Sequence, residues 1–308
     1  MASGRRSCVT APLLATAHTL PFVLWRSNHP LDLMASVARY TRWGPDPTCV
    51  VSENSIARSF HLDDQIVSYQ ATQREGGVLE LAATDEDAAL EDLKWRLSES
   101  IPRGPIENLT SSDEILGSAY RIRPGYRPPL ETDPFVSLVT SVSAQQVNLR
   151  WALTTRTRLI HEFSQPTEFA GRRLWPFPRP EQLAEAAVAQ LRELQFTTRK
   201  SEYIIGIAAA ALAGNLDGLA KADSEEVIER ITSIRGAGRW TADWLLARCL
   251  GRPDAVAAGD LGVRKAVSFL YCSASELLSE VEVRNIADRW GDAANWATHL
   301  LLEELSAL

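Results

Sequence analysis

The chain has 308 residues, 45% of them hydrophobic and 23% charged, with a formal net charge of −7. That is enough chain for about two domains, each able to bury a core without disulfides or metal, and no apolar run reaches the ~20 residues that a membrane-spanning helix needs. The four cysteines, Cys8, Cys49, Cys249 and Cys272, stand far apart, which excludes a zinc ribbon, an iron–sulfur loop and a disulfide framework and predicts reduced, mostly buried thiols in a cytoplasmic protein.

In chain order, Arg5 and Arg6 precede a short apolar stretch, Val9 to Ala17, that imitates an export signal. Thr10 and Pro12 interrupt it, so the expectation is a frayed end leading into a strand at Leu20–Trp25. An amphipathic segment at Leu31–Tyr40 follows, then β-branched runs at Cys49–Val51 and Gln65–Tyr69, the pair Gly76-Gly77, and a helix over Glu86–Leu97. This mixture predicts an α+β domain with an antiparallel sheet. Between Ile101 and Leu130 the chain is rich in proline and glycine, which reads as a linker or lining loop and puts the domain boundary near residue 110, giving domains at 1–110 and 111–308.

Beyond Asp133 the periodicity is almost wholly helical. Asp133-Pro134 is an N-cap with proline at the first helical position, and apolar residues recur at Phe135, Leu138, Val139 and Val142. Further helices are predicted over Glu181–Leu194, Lys200–Ala213, Ser224–Ile231 and Thr241–Leu250. Charge is uneven: −4 over residues 1–102, +2 over 103–269 and −5 over 270–308. The slightly positive middle permits a polyanionic partner without requiring one.

The most informative stretch joins two of these helices through Gly236-Ala237-Gly238, followed by Arg239, Trp240 and Thr241. Glycines two apart leave backbone N–H groups able to meet a phosphate where the next helix offers its positive N-terminus. An ordinary helix–helix corner uses glycine for the same geometric reason, so the pair alone does not decide. Downstream, Gly259-Asp260-Leu261-Gly262-Val263-Arg264-Lys265 ends a loop in an acid that opens another helix, where Asp260 by itself would be a plain N-cap.

Taken together, the hairpin, the spacing from Gly238 to Asp260 and Val263-Arg264 resemble the helix–hairpin–helix (HhH-GPD) DNA glycosylase superfamily. Pro124-Gly125-Tyr126, Asp133-Pro134-Phe135, Ser143-Ala144-Gln145-Gln146-Val147 and Arg199-Lys200 extend the likeness over roughly residues 120–300. The N-terminal domain is similar in size and texture to the TBP-like α+β domain of the 3-methyladenine DNA glycosylase II branch. The resemblance implies an α+β domain followed by an all-helical catalytic domain.

It also implies roles. Asp260 would stabilise positive charge at the sugar C1′ as the glycosidic bond breaks. Members that also cut the backbone carry a lysine two residues after the second hairpin glycine. Trp240 stands there and cannot act as an amine nucleophile, so the expectation is a monofunctional enzyme without lyase activity that removes alkylated purines, chiefly 3-methyladenine and also 7-methylguanine, from double-stranded DNA. The target base must leave the helix. Gln146, with Gln145 beside it, is the expected wedge, and Trp240, Tyr126 and Trp296 are the expected aromatic faces of the base pocket. Gly236, Gly238, Arg239, Thr241, Arg264 and Lys265 would hold backbone phosphates, and carbonyls near Ser233, Arg235 and Gly238 a structural Na+ or K+. No organic cofactor is implied, and the expectation is a DNA-associated monomer with no membrane partner. Arg121, Arg123 and Arg127, or Arg150, Arg156 and Arg158, could track the duplex further out. Asp292, Ala293, Ala294 and Asn295 depart from the family pattern, which implies a larger pocket or an altered base preference. Two alternatives stay open: a glycosylase for hypoxanthine or an oxidised purine, and a non-catalytic DNA-binding protein.

Overall fold

The computed structural model describes residues 21–308; the apolar stretch Val9–Ala17 and Cys8 lie outside the described residues. The chain runs through strand β1 (Val23–Arg26), short helices α1 (Leu33–Val37) and α2 (Arg39–Arg42), and strands β2 (Cys49–Ser52), β3 (Ser55–Leu62), β4 (Gln65–Gln73) and β5 (Val78–Ala83). These pair antiparallel in the order β1-β5-β4-β3-β2. Asp63, between β3 and β4, adopts φ +48, the left-handed geometry that a tight hairpin demands and aspartate tolerates. The two-residue period of a strand sorts the side chains. Ile56, Val67, Tyr69, Leu79 and Leu81 form a core with Ala89 and Leu93 of α3 (Glu86–Arg96), while Ala57 belongs to a separate cluster on the opposite face.

That opposite face is covered from the helical region. After α4 (Gly104–Ser112), α5 (Glu114–Arg121), α6 (Pro134–Ala144) and α7 (Leu149–Phe163), the chain makes a small hairpin of β6 (Thr167–Phe169) and β7 (Arg172–Leu174). Phe169 and Leu174 pack on Ala57, and the Thr167 hydroxyl lies 2.8 Å from that of Ser59. The region expected to be almost wholly helical therefore contributes two strands, too short at three residues each to show an alternation in sequence.

The linker expected at residues 101–130 is also packed. Pro105 sits in the first turn of α4, where its missing N–H costs nothing. A Cβ on Gly117 would lie 2.5 Å from the Thr110 carbonyl, so glycine there lets α4 and α5 cross closely. Helix α4 straddles the boundary expected at residue 110, and its Ile106 is buried with residues of the C-terminal helices. The chain then forms α8 (Pro180–Ala184), α9 (Val188–Glu193), α10 (Thr198–Leu212), α11 (Ser224–Thr232), α12 (Arg239–Arg248), α13 (Leu261–Lys265), α14 (Glu280–Ala287) and α15 (Ala294–Ala307). The single helix expected over Glu181–Leu194 is thus two, α8 and α9.

Helix α12 is buried on both sides. Ala242, Leu245 and Leu246 join a core with Leu138, Val142, Ile204, Ile207 and Ile231. Trp244 and Ala247 join a second core with Val263, Val267, Ala297 and Leu300. The helix following the glycine hairpin is therefore the shared wall of two cores, a rigid place from which to hang a site.

Candidate active site at the hairpin and Asp260

Asp223 caps α11, its carboxylate accepting from Glu226 N, and the turn after α11 contains two glycines with different reasons to be there. Gly236 adopts φ +93, and a Cβ on it would lie 2.2 Å from the ring of Tyr203, so both backbone conformation and packing exclude a side chain. Gly238 is extended and caps α12, with no heavy atom within 4 Å of where its Cβ would be. Open space at Gly238 suits the approach of a ligand to the backbone. Among the described residues, the N–H groups of Gly238, Arg239 and Trp240 meet no protein acceptor, while Thr241 N reaches the Gly238 carbonyl at 2.9 Å. Four backbone positions thus give three free donors at a positive helix end.

Of the side chains expected to hold phosphate, Arg239 is half-exposed and its Nε donates to Asp243 at 2.8 Å. Lys265 is exposed at the end of α13. Two others are turned inward. Thr241 is buried, its hydroxyl 3.5 Å from Gln145 Nε2, and Arg264 Nε donates to the Leu278 carbonyl at 2.7 Å, anchoring the loop before α14.

Asp260 caps α13. Its Oδ1 accepts from Gly262 N at 2.8 Å and Val263 N at 3.1 Å; its Oδ2 accepts from the indole nitrogens of Trp240 at 3.0 Å and Trp244 at 3.3 Å. Four donors on two oxygens fix the orientation of the carboxylate. Glycine on either side makes room: a Cβ on Gly262 would be 3.0 Å from Asp260 Oδ1, and one on Gly259 2.8 Å from Glu280 Oε2. Trp240, expected as a stacking face, is thus tied to Asp260 through its edge. Trp244 was missed in sequence, although it stands one helical turn beyond Trp240, and Arg248 one turn further lies over its ring, 3.7 Å from the centroid.

The remaining expected residues separate. Gln145 Nε2 donates to the Gly236 carbonyl at 3.0 Å, so this side chain braces the hairpin. Gln146 is exposed and adopts φ +54, thrust out of the α6–α7 turn beside the exposed Val147, Leu149 and Trp151. Tyr126 and Trp296 are 2% and 3% exposed within the second helical core and offer no open ring face. Arg127 is fully buried against Glu99 and Ser27, Arg123 pairs with Glu304, Arg156 pairs with Asp46, and Arg158 lies over the Trp151 ring, so these arginines are engaged within the protein. Asn295 donates to the carbonyls of Ala247 and Arg252, which explains its departure from the family pattern as a brace on the loop leading to Asp260.

A cleft of about 410 Å3 lined by Ile115, Ile122, Leu270 and Glu304, and a small cavity at Ile101, Pro128, Asp292 and Trp296, are not lined by Asp260, Trp240 or Trp244. Among the described residues no three His, Cys, Asp or Glu side chains gather to hold a metal. Of the hairpin carbonyls, that of Gly236 accepts from Gln145 and that of Gly238 from Thr241 N and Ala242 N.

The sequence pattern of the HhH-GPD superfamily of base excision DNA repair proteins matches residues 139–292. The DNA-3-methyladenine glycosylase of Bacillus subtilis (strain 168) is 30% identical over 199 residues, 64% of this chain, and the match spans 65% of that relative's length. Among solved structures, the 3-methyladenine DNA-glycosylase from Archaeoglobus fulgidus superposes with a TM-score of 0.81 at 26% identity, covering 93% of this chain and 99% of that one. An 8-oxoguanine glycosylase/lyase from Clostridium acetobutylicum in complex with double-stranded DNA reaches 0.74 at 17% identity and shares the fold.

Proposed function

Because the chain belongs to the HhH-GPD superfamily of base excision DNA repair proteins, we propose that it is a DNA glycosylase that excises alkylated purines from duplex DNA and leaves the backbone uncut. The observation that carries this reading is Asp260, held by four donors at 2.8–3.3 Å one helix away from the hairpin. A carboxylate fixed in advance stabilises the positive charge developing at C1′ without having to reorganise during bond breaking. It also orients the water that adds to that carbon. A purine alkylated at N3 or N7 is already cationic, so its departure draws little on a general acid.

The free amides at the N-terminus of α12 and the cations of Arg239 and Lys265 bind the phosphates beside the extruded nucleotide. The carbonyls of Ser233 and Arg235 suit a monovalent cation, which would add positive charge beneath those phosphates. Gln146 fills the gap left in the stack, with Val147 and Leu149 as apolar surface against the groove. Trp240, which occupies the place of the lyase lysine, donates to Asp260 and supplies no nucleophile, so the product is an intact abasic strand.

The test is to incubate wild type and Asp260→Asn with methylated duplex DNA, identify each free base, and look for strand cutting without alkali. The expected result is release of methylated purines by wild type, a loss of about a thousandfold or more in the variant, unchanged or tighter duplex binding by Asp260→Asn, and uncut strands. Equal release by both proteins sinks the role of Asp260, and strand cutting sinks the monofunctional reading.

A further inference from the structure

Trp240, Trp244 and Arg248 follow one another at four-residue intervals and so form one stripe of α12. The first two donate to Asp260. The third is half-buried over the Trp244 ring, 3.7 Å from its centroid, yet among the described residues nothing accepts a hydrogen bond from its guanidinium, and its buried Nε is without a partner. Asp260 and Glu303 face it at longer range, and Arg39 of α2 faces it as a like charge; burial first, then Arg39, pulls its pKa down to about 9, which leaves it a cation at neutral pH. Glu303 is already paired with Arg42. Two more buried polar atoms in the same neighbourhood lack partners, the Tyr126 hydroxyl and His299 Nε2. Burial and the two arginines hold His299 well below its ordinary pKa, so it is neutral.

A buried N–H without an acceptor costs about 1–3 kcal/mol. Three buried polar atoms without partners, one of them on a half-buried guanidinium whose other nitrogens stay open, therefore point to an acceptor that arrives from outside. On the glycosylase reading, that acceptor is the extruded base.

We propose that Arg248 is the specificity-determining residue for the leaving base: standing on the base side of the glycosidic bond as Asp260 stands on the sugar side, it extends the site to neutral 6-oxopurines that depart as anions. When the C1′–N9 bond breaks, its electron pair passes to the purine and the water oxygen bonds C1′. The proton lost by that water neutralises an anionic purine, or goes to solvent when the base left a cationic nucleotide. A neutral purine thus gains negative charge in the transition state, which a neighbouring cation stabilises. A cationic alkylpurine still carries part of its positive charge there, which the same cation repels. Arg248 also presents N–H donors to the O6 and N7 edge of an oxopurine, the edge that guanidinium groups fit best.

The experiment measures kcat/KM on duplexes carrying one hypoxanthine or one 7-methylguanine for wild type, Arg248→Met and Arg248→Lys, with thermal melts to establish folding. Arg248→Met should lower the value for hypoxanthine about tenfold or more and leave unchanged or raise that for 7-methylguanine, and Arg248→Lys should recover part of the hypoxanthine loss. Equal losses on both bases would make the residue merely structural and overturn the proposal. So would no loss on either, or a wild type that releases 7-methylguanine but not hypoxanthine. If wild type releases neither base, the glycosylase reading beneath it falls.

Discussion

In the sheet region, Arg58 and Arg96 are buried among acids. Arg96 Nε lies 3.2 Å from Asp92 and its NH2 2.6 Å from Glu131, while Arg58 meets the same two carboxylates at 3.2 and 3.4 Å. Tyr69 and Thr132 donate to Asp92 at 2.8 Å each. Although burial works against it, the two arginines hold the Glu131 carboxyl at about 2, far below the usual range. In the helical region, Arg248 is half-buried on the Trp244 ring and meets no such acceptor. The contrast teaches how to read buried charge: a compensated cluster closes on itself and fixes architecture, whereas an uncompensated one is completed by something that binds. The two regions are also joined. Glu131 N donates to the Arg248 carbonyl at 2.7 Å, and Trp95 Nε1 to that of Cys249 at 3.0 Å, so the paired cluster anchors the end of the helix that carries the unpaired one.

The comparison breaks most directly by removing one member from each cluster. Asp92→Ala leaves two buried arginines short of an acid and should cost about 3–5 kcal/mol of stability, read as a large fall in Tm. Arg248→Met removes a half-buried charge that no carboxylate pairs directly and should leave Tm nearly unchanged. A comparable fall in both would show that Arg248 is as architectural as Arg96. A smaller effect is expected at Gly236→Ala, where φ +93 and the Tyr203 ring both resist a methyl group. The expected cost is about 1–3 kcal/mol, together with weakened duplex binding. Adding Tyr203→Ala should relieve the clash but not the backbone strain, and full recovery would mean that packing alone explains the glycine.

Asp260 and the hairpin were legible in sequence because each is a local device: a cap, a pair of glycines, a fixed spacing. What escaped depended on contacts between distant segments. Gly125 reads in sequence as part of a proline- and glycine-rich linker, yet a Cβ on it would lie 2.3 Å from Asp32 N, so glycine there marks close packing of chain against chain. Arg127 counted as surface charge until Glu99, 28 residues upstream, proved to be its partner. Tyr126, in the segment between α5 and α6, and Trp296, on α15, look like pocket aromatics in sequence but fill the core, since composition cannot say which aromatic turns inward. Trp244 and Arg248 are the instructive misses. The helix was predicted, and counting forward by four from Trp240 reaches both.

The finest division lies between two neighbouring glutamines, and it sharpens the contrast between bracing and binding on the scale of a single turn. Gln145 donates to the Gly236 carbonyl, so Gln145→Ala should loosen the hairpin by about 1 kcal/mol. Duplex affinity should then weaken for damaged and undamaged DNA alike. Gln146 touches the outside only and is held at φ +54, a conformation glycine adopts at no cost. Gln146→Gly should therefore leave stability unchanged or slightly higher. Its cost should fall on excision alone, and more on a lesion held in a well-paired duplex than on the same lesion in a single strand, because only the duplex needs its gap filled. If instead Gln145→Ala shows that duplex-dependent loss with a firm hairpin, the wedge is Gln145, and the contact to Gly236 is one it abandons when DNA binds.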